Sequence, residues 1–189
     1  SFRRKSQPFW KTLGEYGVFS TVLRVPITFP PEKFNGVMLS AMSVPDLKGT
    51  QGTFSYFTSD PREQASFTGG IQVPVEVTNG VVSAAITGPE NPVHKSHEEM
   101  RIPFQVLVSQ NGHDAQLILQ KKRYPLKLRE FTPWIRVAFS AAPGMKVLGL
   151  CHFYLKATAP HFKMYMSPLN IDPEKPALPI SHPATYATY

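Results

Sequence analysis

Cysteine is nearly absent: Cys151 is the only one in 189 residues, which excludes an intrachain disulfide and any cysteine-rich zinc site. It lies in the apolar run Val147–Leu155 and reads as a buried, inert thiol. A lone thiol is compatible with a reducing cytoplasm and does not prove one. Acidic residues number only 13 and nowhere form a pair placed like a general acid and base. No Gly-x-Ser-x-Gly occurs, so a nucleophile elbow is excluded. No glycine spacing matches a P-loop, so nucleotide-type phosphate cradling is unsupported. No apolar run reaches the roughly 18 residues needed to cross a bilayer, and the start has no signal-peptide pattern.

What is present is a core. Hydrophobic residues make up 42% of the chain, 13 of them Phe, enough for one sizeable domain or one domain plus a fragment of another. The 19 prolines are spread along nearly the whole length, which favours strands and turns over long helices. The net charge of +7 sits in small groups, Arg3-Arg4-Lys5, Lys121-Lys122-Arg123 and Lys127/Arg129. Only Tyr124 and Trp134 lie near them. Without aromatics interleaved as stacking platforms, no nucleic-acid partner is expected.

The chain divides by pattern. In the first region Ser6 reads as a helix cap and Pro8 as a first-turn residue. Phe9, Trp10, Leu13 and Tyr16 follow at helical spacing, and Gly14 or Gly17 provides the stop. The β-branched run 18–25 then ends at Pro26, which makes one αβ unit. No second αβ repeat follows, and a parallel sheet needs neighbours and two covered faces. The unit is therefore expected to belong to a larger α/β core, with Val22, Leu23 and Val25 short of neighbours. Residues 70–77, 81–86, 102–109, 116–120, 134–139, 146–154 and 162–166 read as short strands, several separated by the turn signals Asn79-Gly80, Asn111-Gly112 and Pro143-Gly144. Seven such strands predict a sandwich or small barrel. Pro74 places its strand at an edge, and 88–101 reads as a polar loop.

Few residues point to chemistry. His94, His97, Glu98 and Glu99 are metal-ligand types at close spacing, but they sit in a proline-flanked polar stretch with no rigid frame, and a solvated loop is the stronger reading. Asp46 belongs to a Gly/Thr loop with Thr50 and Thr53. That loop either offers backbone donors to an anion or is a turn closed on Asp46 itself. His182 lies in a path whose prolines at 168, 173, 176, 179 and 183 restrict its conformations. It reads either as a residue delivered near a site or as a connector histidine bonded to backbone. His152 reads as a strand residue and His113 as a turn residue. From the residues alone, this is a β-rich domain with no active site of its own.

Two segments carry a resemblance. Thr21-Val-Leu-Arg-Val-Pro-Ile-Thr-Phe-Pro-Pro31, continuing through Met38-Leu-Ser-Ala-Met-Ser-Val-Pro-Asp-Leu-Lys-Gly-Thr-Gln-Gly-Thr53, is one. Met166-Ser-Pro-Leu-Asn-Ile-Asp-Pro-Glu-Lys-Pro-Ala-Leu-Pro-Ile-Ser-His-Pro183 is the other. Together they resemble the middle of the type I phosphodiesterase/nucleotide pyrophosphatase branch of the alkaline phosphatase superfamily. The resemblance extends over nearly the whole chain, strongest at 21–60 and 162–183 and loosest across 70–150. It implies an internal segment of a metal-dependent phosphoester hydrolase, with residues 1–60 a piece of the α/β core, 61–168 an inserted β-domain, and 169–189 an extended return to the core.

The resemblance also implies zinc- or manganese-type ions in the parent enzyme, a phosphate-ester substrate, and a Thr or Ser nucleophile activated by two metals. The nucleophile and the metal ligands map onto no residue here, so neither catalysis nor a bound metal is expected of this segment alone. Asp46, Thr50, Thr53 and His182 are expected near the substrate, since ligands in such sheets bind beyond the strand ends. The remaining core segments would be partners, and the β-domain would shape substrate access. A rival from another class is a non-catalytic module that recognises a carbohydrate, lipid headgroup or protein through Trp134, Tyr154 and Tyr165. Exposure of Trp134 and Tyr154 on one face would favour it.

Overall fold

The computed structural model describes residues 6–40, 44–63, 68–94, 97–109 and 112–188. One helix, α1 (Phe9–Glu15), is followed by strands β1 (Ser20–Leu23), β2 (Gly36–Leu39), β3 (Phe54–Thr58), β4 (Gly70–Pro74), β5 (Val77–Thr78), β6 (Val81–Glu90) and β7 (Glu99–Val108). Then come β8 (Asp114–Leu119), β9 (Lys122–Lys127), β10 (Ile135–Ala142), β11 (Met145–Cys151), β12 (Phe153–Ala157), β13 (Lys163–Met166), β14 (Asn170–Ile171) and β15 (Ser181–His182). A short 3-10 helix, Ala184–Thr188, comes last. The fold is mainly β with a short N-terminal helix, as the sequence predicts. It forms two compact units, one of Ser1–Val44 with Pro173–Tyr189, the other of Pro45–Asp172.

In the smaller unit, Pro8 stands before the first helical residue and its carbonyl accepts from Lys11 N at 3.0 Å. No side chain caps this end, so Ser6 does not act as the cap the sequence predicts. Gly17, at φ +76°, closes the helix where a residue with a Cβ would be strained. Strand β1 runs parallel to β2, and β15 pairs antiparallel with β2, setting His182 opposite Met38. The first pairing is close: a Cβ on Gly36 would stand 2.0 Å from the Ser20 carbonyl. Trp10, Val22 and Met38 form the small core. Leu23 and Val25 are exposed as expected, but Val22 is only 4% exposed, because the helix covers it.

The larger unit holds three sheets: β12-β13-β3-β4, β5-β6-β7-β8-β9 and β10-β11-β14. Burial alternates strictly from Glu99 to Val106, so β7 puts Met100, Ile102, Phe104 and Val106 inside. Phe104 meets Phe57 and Phe153 of the four-stranded sheet edge to face, with centroids 5.3 and 5.9 Å apart. These contacts join the four- and five-stranded sheets in one buried core. Strands β11 and β12 are one run broken at His152. There the chain leaves the sheet of β10 and β14 and enters that of β13 and β3.

Local signals hold where chemistry is local. Asn79 and Gly80 have φ of +50° and +76° and join β5 to β6 in a tight hairpin. Gly144 turns β10 into β11 at φ +78°, and β4 with Pro74 is an edge strand. Asn111 lies outside the described residues. The expected loop 88–101 is shorter, because β6 runs to Glu90 and β7 starts at Glu99 across a register shift. The division of the chain differs too. Residues 54–58, assigned by sequence to the α/β piece, form β3, which lies between β13 and β4 in the β-rich unit. The boundary thus falls at 44/45 rather than 60/61, and the return at 172/173 rather than 168/169.

Candidate functional site

Residues 45–53 fold around Asp46, which is 5% exposed. One of its carboxylate oxygens accepts from Lys48 N (3.0 Å) and Thr50 N (2.8 Å), and the other from the Thr50 hydroxyl and Thr53 N (3.2 Å). The Asp46 amide donates to the Thr50 carbonyl, and Gly49 N to the Asp46 carbonyl, both at 2.9 Å. Asp46, Thr50 and Thr53 therefore come together in one closed turn. The backbone donors of the loop are used by Asp46 itself, so it is a turn closed on its own carboxylate.

The turn has an outward product. Leu47 N bonds the Leu169 carbonyl at 2.7 Å, tying the loop to the segment after β13. Beside it opens a cleft of about 370 Å³, within the range of small-ligand sites. Thr53 and Lys48 reach it from the turn, Ser55 from β3, Thr87 from β6, and Glu99 and Arg101 from β7. Val73, Met166 and Leu169 supply apolar surface. Small residues Ser83, Ala84 and Ala85 on β6 leave the space open. Lys48, with its side chain 16% exposed, pairs with Glu99 at 3.0 Å. Arg101 has no ion pair among the described residues. Two cations against one carboxylate leave the cleft net positive, which suits an anion. Sequence reasoning did not single out Lys48 or Arg101. The alternation in β7 was the signal that Arg101 points outward.

His182 is delivered elsewhere. It pairs in β15 with Met38 and its ring lies 6.0 Å from that of Phe34, within the smaller unit. His97, 78% exposed, has Nδ1 3.0 Å from the Glu90 carboxylate. Lys95 and Ser96 lie outside the described residues. Among the described residues no group of three or more His, Cys, Asp or Glu is arranged to hold a metal ion. Cys151 is fully buried, and desolvation pushes its thiol up to about 12.

A polar network on the same sheet is structural in geometry. Thr58 Oγ1 and Tyr56 OH donate to Glu63 at 2.8 and 3.2 Å, and Lys163 Nζ lies 3.1 Å from it. Burial pushes the Glu63 carboxyl up, but these bonds outweigh burial and hold it below its usual range. Burial first, then the Glu63 charge, push Tyr56 up to about 12.

No protein-family model, no curated protein and no solved structure matches this chain.

Proposed function

We propose that the chain is a segment of a metal-dependent phosphoester hydrolase of the phosphodiesterase/nucleotide pyrophosphatase type. In this reading the β-rich unit shapes substrate access and holds a non-reacting, anionic part of the substrate. The observation that carries it is the net-positive cleft built by the 45–53 turn, the same stretch in which the resemblance is strongest. The smaller unit supports it. Its sheet has only three short strands, and its one parallel pair, β1 and β2, has a single helix where a parallel sheet is ordinarily covered on both faces. Its helix, its edge strand β1 and the residues flanking that strand also leave Phe9, Phe19, Leu23 and Val25 exposed. The remaining catalytic core segments are the proposed cover, and they would bring the nucleophile and the metal ligands.

The test uses the longer protein that carries this segment, assayed on bis(p-nitrophenyl) phosphate with zinc or manganese. Chelation should abolish turnover. Lys48→Met with Arg101→Gln should raise KM several-fold with kcat little changed, as expected when binding outside the reacting centre is lost. An unchanged KM would remove the cleft from the reading. The segment alone should give no turnover above background. Chelator-sensitive turnover by the segment, lost in His182→Ala, would overturn the fragment reading itself.

A further inference from the structure

A second surface on the β-rich unit is independent of the cleft and of the hydrolase reading. Where β11 passes into β12, the His152 ring projects and is held between two others. Trp134 stacks on one side, with centroids 4.2 Å apart and planes within 4°. Phe131 lies on the other at 4.5 Å and 25°. Phe131 is fixed because it bridges to Tyr154 of β12, with rings 4.8 Å apart, and it reaches Tyr165 at 6.2 Å. The row ends at Phe54, 5.3 Å from Tyr165, its ring lying over Gly70, where a Cβ would stand 2.3 Å away. Trp134 and Phe131 are 55% and 54% exposed.

Large apolar side chains this exposed in an ordered row mark a binding surface. The geometry narrows the ligand. A cage for a quaternary ammonium needs ring faces converging on one point. Here the faces of His152 and its neighbours are turned on each other, which leaves the outer face of the indole as the flat surface on offer. Desolvation lowers the His152 imidazole below its usual range, so the stack is uncharged at neutral pH. The phenol groups of Tyr154 and Tyr165 lie beside it with no hydrogen-bond partner among the described residues. A single-stranded nucleic acid would want a line of cations tracking a backbone along the rings; Lys156, 5.4 Å over the ring of Tyr56 across the ladder from Tyr165, is one cation at one end of the row and makes no such line.

We propose that the row from Trp134 to Phe54 binds a neutral carbohydrate chain. One sugar would rest its C–H face on the free face of Trp134, and neighbouring hydroxyls would meet Tyr154 and Tyr165. The stack preorganises the indole, so little side-chain entropy is lost on binding.

Calorimetric titration of the whole chain with cellohexaose, maltohexaose and chitohexaose tests this, with an oligothymidylate and phosphatidylcholine vesicles run beside them. At least one oligosaccharide should bind, with Trp134→Ala weakening it roughly tenfold or more and Phe131→Ala by a smaller factor. Because Trp10 and Trp134 are the two tryptophans, a Trp10→Phe chain should keep the sugar-induced fluorescence change. Absence of binding by wild type at millimolar sugar would overturn the proposal. So would binding indifferent to both ring truncations, or Trp134-dependent binding of oligothymidylate or vesicles tighter than that of any sugar.

Discussion

Replacing Asp46 by Ala should cost the β-rich unit several kcal/mol, although the residue touches no apolar core. The residue is 5% exposed, and its carboxylate takes three backbone amides and one hydroxyl. Hydrogen bonds to a charged acceptor contribute about 1.5–3 kcal/mol each. Counting only the bonds from Thr50 N and Lys48 N, at the low end, gives about 3 kcal/mol. Thr53 N, at 3.2 Å, and the Thr50 hydroxyl are left out of that figure, because a widened turn lets water reach them. Asp46→Asn keeps the volume and one carbonyl acceptor, and should lose about half as much. Urea unfolding followed by circular dichroism gives the free energy, and amide exchange at Lys48, Thr50 and Thr53 gives its location. If Asp46→Ala shifts stability by less than about 0.5 kcal/mol, the range of an ordinary surface change, and those amides stay protected, the carboxylate does not organise the turn.

Two further outcomes follow from packing and charge. Gly88→Ala should destabilise by about 1–3 kcal/mol, because the new Cβ would stand 2.3 Å from the ring of Phe139, itself 1% exposed; Phe139→Leu in the same chain should recover part of the loss, and a chain that melts like wild type would show the contact to be yielding. Glu63 is held below its ordinary value, so its contribution to stability is complete above the unfolded carboxyl range and is lost as pH falls through its folded value. Melting temperature should therefore drop on acidification below about pH 4.5 less steeply in Glu63→Gln than in wild type, and identical slopes would refute the assignment.

Where the sequence could be read, the cause lay within a few residues. Asn79-Gly80 tolerates the positive φ that its turn needs, and the Asp46 turn closes within seven positions. The alternation in β7 follows from one wet face and one dry one. Where it could not, the partner was far away. Residues 122–127 carry three cations and a proline, so nothing local marks them as β9, which forms because β8 presents a ladder to it. Strand β3 is assigned to its sheet by β13, more than a hundred residues later. Trp134, Tyr154 and Tyr165 were legible as aromatics. That His152 and Phe131 join them depends on the corner between β11 and β12 and on a bridge spanning 23 positions. The cleft arises likewise from Lys48 and Arg101 converging through the fold.

Strand β9 has one more consequence, for how copies of the protein behave in solution. It is the last strand of its sheet, and its outer edge has no ladder partner among the described strands. An open edge is a template for a second molecule, and two molecules meeting there edge to edge would join their two sheets into one. On this edge Lys122, Arg123 and Lys127 are exposed and Pro125 withholds a donor. Two such edges at ladder spacing would set like charges well inside one Debye length, about 8 Å at physiological ionic strength. Such repulsion opposes the meeting of two β9 edges in dilute buffer, and concentrated salt screens it. Self-association through this edge is therefore a process that salt promotes, the reverse of what ion-paired assemblies do.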